Sequence, residues 1–109
     1  MYDQLIVVKV GTNVMKNKNN RIVRPVLQNL VSQIADLYER NIMTILVSSG
    51  SAIAGKEVLG SSTIKDKSIR RQVYSSIGQP RMMRLYYNIF HDFGINCEQV
   101  LPTKRDFQP

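Results

Sequence analysis

Apolar residues are distributed along this chain in two ways. "LIVV" (5–8) and "IMTILV" (42–47) are short apolar runs rich in β-branched residues, and "INCEQVL" (95–101) is a third short run that carries apolar residues at both ends. Between them, apolar positions recur at steps of three and four: Leu27, Leu30, Val31, Ile34, Leu37 and Tyr38, then Ile69, Val73, Ile77, Met82, Leu85, Tyr86 and Ile89. The first pattern predicts strands over about 4–10, 42–50 and 95–101, apolar on both faces. The second predicts helices, each burying one stripe. The first long helix starts near Pro25, since proline suits a first helical turn, and Asn41 is its left-handed stop. A short helix is expected over 51–60, closed near Gly60, followed by a polar loop over 61–66. Gly94 ends the second long helix, and Pro80 within it is expected to kink or restart it, because proline removes a donor and crowds the preceding turn. "KNKNNR" (16–21) reads as a turn or hairpin tip.

The order β, α, β, α, β predicts an α/β fold: an open, mainly parallel sheet with helices on both faces and right-handed crossovers. The 109 residues suffice for one small domain. No apolar run reaches 18 residues, so no membrane span is expected. The N-terminus lacks the basic–apolar–small pattern of a signal peptide. One cysteine, Cys97, allows no internal disulfide and fits a reducing compartment, and with His91 as the only histidine there is no cluster for zinc.

Charge adds one feature. The net charge is +7, and Lys65, Lys67, Arg70, Arg71, Arg81 and Arg84 fall close together. Such a patch can attract nucleic acid or a phosphorylated small molecule. Without interleaved aromatic residues, it reads first as a solvated helix face.

The candidate chemistry sits at the strand ends. Lys9 and Gly11 close the first strand, Ser48, Ser49 and Gly50 the second, and Thr103 and Lys104 follow the third. Ligands of open α/β sheets bind beyond the carboxyl ends of the strands. "SSGS" (48–51) leads directly into a helix, whose first N–H groups suit an anion. Lys9 then points at negative charge brought by a ligand, or it is an edge-strand lysine that discourages aggregation. "SSGS" has an equally plain reading as a helix N-cap with a flexible glycine. The stripe residues, Met82, Met83, Tyr86 and Tyr87 among them, read as core.

"IVVKVGTNV", "VSSGSAIAG", and "GQPRMMRLYYNIF" followed by "GINCEQVLPTKRDF" together resemble the amino acid kinase family, over about residues 4 to 107. The "VKxGT/S" start is shared across that family. "SSG" with its small-residue run, then "GQ" with a basic–apolar helix, resembles the branch that phosphorylates the γ-carboxylate of L-glutamate in the first step of proline synthesis. The resemblance implies ATP and Mg²⁺ as cofactors, L-glutamate as substrate, a cytoplasmic homo-oligomer, and neither a membrane nor a nucleic-acid role. It implies that Lys9 is catalytic, contacting the transferring phosphoryl group. Gly11 and Thr12 would line the phosphate side with Lys9, and Ser49 and Gly50 would hold glutamate. No metal ligand is assigned. A fixed lysine and N–H donors are what phosphoryl transfer asks of a protein. Ser51 stands where such kinases carry alanine, and Pro102 where an aliphatic residue is usual. Residues 1–109 are expected to be the N-terminal part of a kinase domain, without its nucleotide-binding half and inactive alone. Two alternatives stay open: a non-catalytic kinase fragment that binds an anion or a partner chain, and a basic nucleic-acid-binding domain using residues 65–84.

Overall fold

The computed structural model describes residues 2–97. Its elements are β1 (Gln4–Val10), α1 (Thr12–Met15), α2 (Arg24–Glu39), β2 (Ile42–Ser48), α3 (Ser51–Leu59) and α4 (Lys67–Asp92). β1 and β2 pair in parallel, in register from Gln4 opposite Ile42 to Val10 opposite Ser48. The expected α/β arrangement is therefore present, with parallel strands joined through a helix.

Local chemistry accounts for most boundaries. Pro25 lies in the first turn of α2, and Asn41, at φ 63°, takes the left-handed conformation that ends it. In the turn before α2, the Asn17 side-chain oxygen accepts from the backbone N–H groups of Asn19 and Arg21, and an antiparallel bridge joins Lys16 to Ile22. The hairpin tip expected at 16–21 is thus formed by an asparagine satisfying backbone donors. The Asp66 carboxylate caps α4 by accepting from the N–H groups of Ser68 and Ile69, at 2.9 and 3.0 Å.

Two elements depart from expectation. Of the kink or restart expected at Pro80, the restart does not occur, and α4 runs unbroken from Lys67 to Asp92. Ser76 and Pro80 are both exposed, so the lost hydrogen bond falls on the solvent side of the helix. No strand begins at residues 95–97. The Ile95 N–H bonds back to the Phe90 carbonyl at 3.0 Å, and that of Gly94, at φ 71°, to the His91 carbonyl at 2.9 Å. This is the paired closure of a helix ending in a left-handed glycine, and it takes the donor that a strand would use. Residues 98–101, with Pro102, Thr103 and Lys104, lie outside the described residues.

The core lies between the sheet and the helices. Leu27, Val31 and Ile34 of α2 meet Met82, Tyr86, Ile89 and Phe90 of α4, with Val10 and Met15 between them. Strand alternation turns Val8 and Leu46 toward this core. It turns Leu5, Val7, Met43, Ile45 and Val47 the other way, where Leu5 and Val7 are 58% and 62% exposed. Among the described residues, the helices thus cover one face of the sheet. Three residues expected in buried stripes are exposed: Tyr38, which lies against Tyr2 with ring centroids 6.3 Å apart, Ile69 and Tyr87.

α3 and α4 cross almost backbone to backbone. A Cβ at Gly78 would lie 1.7 Å from the Ser51 carbonyl oxygen, and one at Gly55 would lie 1.8 Å from that of Tyr74. Only glycine permits this approach. Among the described residues, no helix is long and apolar enough to cross a membrane.

Candidate functional site

The carboxyl ends of β1 and β2 are tied together. The N–H of Ser49 donates to the Val10 carbonyl at 2.9 Å, extending the ladder one residue past β2 and fixing Ser49 beside Gly11. The chain then turns at Gly50, whose φ of 102° opens α3. A side chain there would be strained by that backbone conformation and would also meet Met15 Cε at 2.7 Å. The Gly50 carbonyl accepts from Ala54 N–H at 2.9 Å, so α3 starts without an intervening loop.

The adjacent serines have opposite environments. Ser48 faces inward: its hydroxyl lies 2.6 Å from the Tyr86 hydroxyl and 3.4 Å from Met15 Sδ. Burial raises the Tyr86 phenol above the ordinary tyrosine value, the Ser48 hydrogen bond partly offsets that, and Cys97 adds a smaller upward push. Ser49 is exposed on the other side, at the mouth of a cleft. Period-two alternation separates the structural serine from the accessible one.

That cleft has a volume of about 650 Å³. One wall is Thr12 with Ser49, Gly50, Ser51, Ala52 and Ile53; the other is Lys67, Arg70, Arg71, Tyr74 and Ser75 of α4. The glycine crossing of α3 and α4 sets the walls at their distance. Ser51 and Gln79 link the two helices through a side-chain hydrogen bond, so Ser51 ties α3 to α4.

Among the residues expected at a site, Thr12, Ser49 and Gly50 come together in this cleft. Lys9 and Gly11 flank it through the Val10–Ser49 bond but do not line it. Lys9 is exposed, opposite Val47, on the uncovered side of the sheet. Lys67, Arg70 and Arg71 were hidden inside a patch read as a solvated helix face. Their spacing carries the signal: 67, 70, 71, 74 and 75 form one helical stripe. The rest of the patch belongs elsewhere. Arg81 pairs with Glu57 at 3.5 Å, and Lys65 and Arg84 do not line the cleft.

The lining contains hydroxyls, helix-terminal N–H groups and three cations, with no carboxylate. The nearby Asp66 carboxylate is engaged by backbone donors. This combination suits an anion and does not suit a bare cation. Among the described residues, no group of three or more His, Cys, Asp or Glu side chains could hold a metal ion.

Known proteins resemble this chain over nearly its whole length. The model of the amino acid kinase family covers residues 4–109. The chain is 40% identical over 103 residues to the glutamate 5-kinase of Chlorobaculum tepidum, covering 94% of this chain and 28% of that one. It is 35% identical over 102 residues to the glutamate 5-kinase of Bacteroides thetaiotaomicron, with the same shares covered. Against that of Escherichia coli O1:K1 the identity is 32% over 105 residues, covering 96% of this chain and 29% of that one. The chain thus spans less than a third of the length of these relatives.

Proposed function

The chain belongs to the amino acid kinase family, and on that premise we propose that it supplies the acid-binding and phosphate-contacting part of an ATP-dependent kinase acting on the γ-carboxylate of L-glutamate. The observation that carries this reading is the convergence of Thr12, Ser49 and Gly50 in one anion-suited cleft at the carboxyl ends of parallel strands. The similarity to proteins named glutamate 5-kinase supports the choice of substrate.

The proposed roles are those that the family resemblance implies. The Ser49 hydroxyl and the N–H groups at the start of α3 hold the acceptor carboxylate. Lys9, with the Gly11–Thr12 turn, meets the transferring phosphoryl group, where a fixed ammonium stabilises charge on the equatorial oxygens. ATP supplies that group. Mg²⁺, which the family resemblance implies, would be carried by the nucleotide phosphates and would neutralise charge on them. Residues 1–109 form the N-terminal part of the kinase domain in this proposal, and the enzyme is cytoplasmic.

The test uses a chimera in which these residues replace the matching part of one of the relatives. The chimera is expected to release ADP only when L-glutamate is present, and residues 1–109 alone are not. Ser49→Ala is expected to raise the KM for glutamate about tenfold or more, the scale of a hydrogen bond to a charged group, with the KM for ATP little changed. A chimera that folds but releases no ADP with glutamate overturns the reading. A change confined to the KM for ATP reverses the assignment of Ser49.

A further inference from the structure

We propose that the α4 wall of the cleft, through Lys67, Arg70 and Arg71, recognises a second carboxylate on the substrate, the one that is not phosphorylated. It thereby restricts the site to dicarboxylic amino acids. This rests on the glutamate reading of the cleft and adds the residues that set its specificity.

Three observations carry it. The stripe Lys67, Arg70, Arg71 faces the same cleft as Ser49 and Gly50, across from the α3 terminus. The three cations have no acidic partner among the described residues, where the one ion pair is Arg81 with Glu57, and Asp66 is held by backbone donors. Arg70 is partly anchored by an Nη1–H bond to the Ile64 carbonyl at 3.3 Å, so its guanidinium is positioned before any ligand arrives.

Electrostatics makes the arrangement costly unless an anion is used. Three like charges within five residues of one helix repel one another. They also crowd the N-terminal turn of α4, where the helix dipole disfavours cations. A carboxylate in the cleft relieves both effects and accepts charge-assisted hydrogen bonds, bidentate from an arginine. A substrate with two carboxylates can reach both walls at once: the acceptor carboxylate against Ser49 and the α3 terminus, the other against α4. A ligand with one carboxylate leaves the cations unpaired.

The experiment compares L-glutamate with 4-aminobutyrate, which keeps the acceptor carboxylate and the amine but lacks the α-carboxylate. Affinities are measured by calorimetry on the chimera and on its Lys67→Gln and Arg71→Gln variants. Both positions are exposed, so the melts are expected to match that of the parent. The unsubstituted protein is expected to bind L-glutamate at least tenfold more tightly than 4-aminobutyrate. Each variant is expected to lose about tenfold for L-glutamate and almost nothing for 4-aminobutyrate. Arg84→Gln, on the same helix but outside the cleft, is the control and is expected to change neither. Equal binding of the two ligands by the parent, or equal loss of both in the variants, overturns the proposal. So does a variant that weakens ATP and spares glutamate, which would assign the wall to nucleotide phosphate. Glutamate-dependent ADP release is read separately: its presence alongside unaffected variants sinks the α4 wall alone, and its absence sinks the kinase reading.

Discussion

Lys9 is the last residue but one of β1 and is exposed, opposite Val47, on a face shared with Leu5, Val7, Met43 and Ile45. An ammonium there meets no buried desolvation cost, so its presence in the run needs no internal partner. Two roles suit such a position: a charge that keeps an apolar strand from pairing with other chains, or a donor set beside the Val10–Ser49 junction to meet a phosphoryl group. Lys9→Met separates them, because methionine keeps the stem's volume and drops the charge. In the chimera, turnover is expected to fall roughly 10²–10³-fold, the scale for losing one preorganised donor. The loss belongs in kcat more than in KM, since the lysine acts where charge develops. Lys9→Arg is not expected to restore it, because a planar fork does not replace a compact ammonium. Steady-state kinetics with a circular dichroism melt measures both quantities. Unchanged kcat in a folded variant assigns Lys9 to solubility.

At the scale of elements, the site depends on how closely α3 and α4 cross. Gly78 sits under the Ser51 carbonyl and Gly55 under that of Tyr74, so a methyl group at either must push one backbone off the other. Gly78→Ala is expected to cost at least about 1–3 kcal/mol, the overpacking range, although alanine is the better helix former. Thermal melting should show the loss as a fall in Tm of several degrees, and glutamate affinity should drop with it because the two cleft walls separate. A variant as stable as the parent would mean that the crossing tolerates a wider spacing. This crossing was not legible in the chain. Gly55 and Gly78 resemble ordinary small residues inside helical stripes, and only a partner backbone reveals why they are glycines. Other elements were legible from local chemistry, as with β1, the start of α2 at Pro25 and its stop at Asn41. α1 was missed because four residues are too few to show a period. Of the strand expected over 95–101, residues 95–97 are not part of one: the Ile95 N–H is taken by the closure of α4, a contact that composition cannot reveal. Of the residues lining the cleft, Ser49 and Gly50 were reached through strand-end logic, and Thr12 only through the family resemblance. Lys67, Arg70 and Arg71 were lost among neighbours of the same charge that point elsewhere.

For the whole molecule, two opposing terms govern behaviour in solution. The described residues leave one side of the β1–β2 sheet bare, with Leu5, Val7, Met43, Ile45 and Val47 between 44% and 62% exposed. Apolar surface on one face of the sheet favours association of the 109-residue chain with itself. The net charge of +7 opposes it through repulsion between copies. Salt screens the second term while leaving the first in place, since the Debye length shrinks to about 10 Å at 0.1 M ionic strength. Sedimentation velocity of the chain is therefore expected to show association that grows with concentration and with added sodium chloride. The bare face, as the cause, can be tested at one register pair. Val7 and Ile45 are direct cross-strand partners. Replacing them together, Val7→Lys with Ile45→Glu, puts opposite charges side by side, a pairing that sheets tolerate and that contributes roughly 0.2–1 kcal/mol. It also interrupts the apolar patch at its centre and leaves the net charge unchanged. The double variant is expected to stay monomeric at concentrations where the parent associates, with little change in its melt. If it associates as strongly as the parent, contact runs through the strand edges or the α4 surface instead. If added salt disperses the parent, attraction between charges governs the association, and the bare face does not.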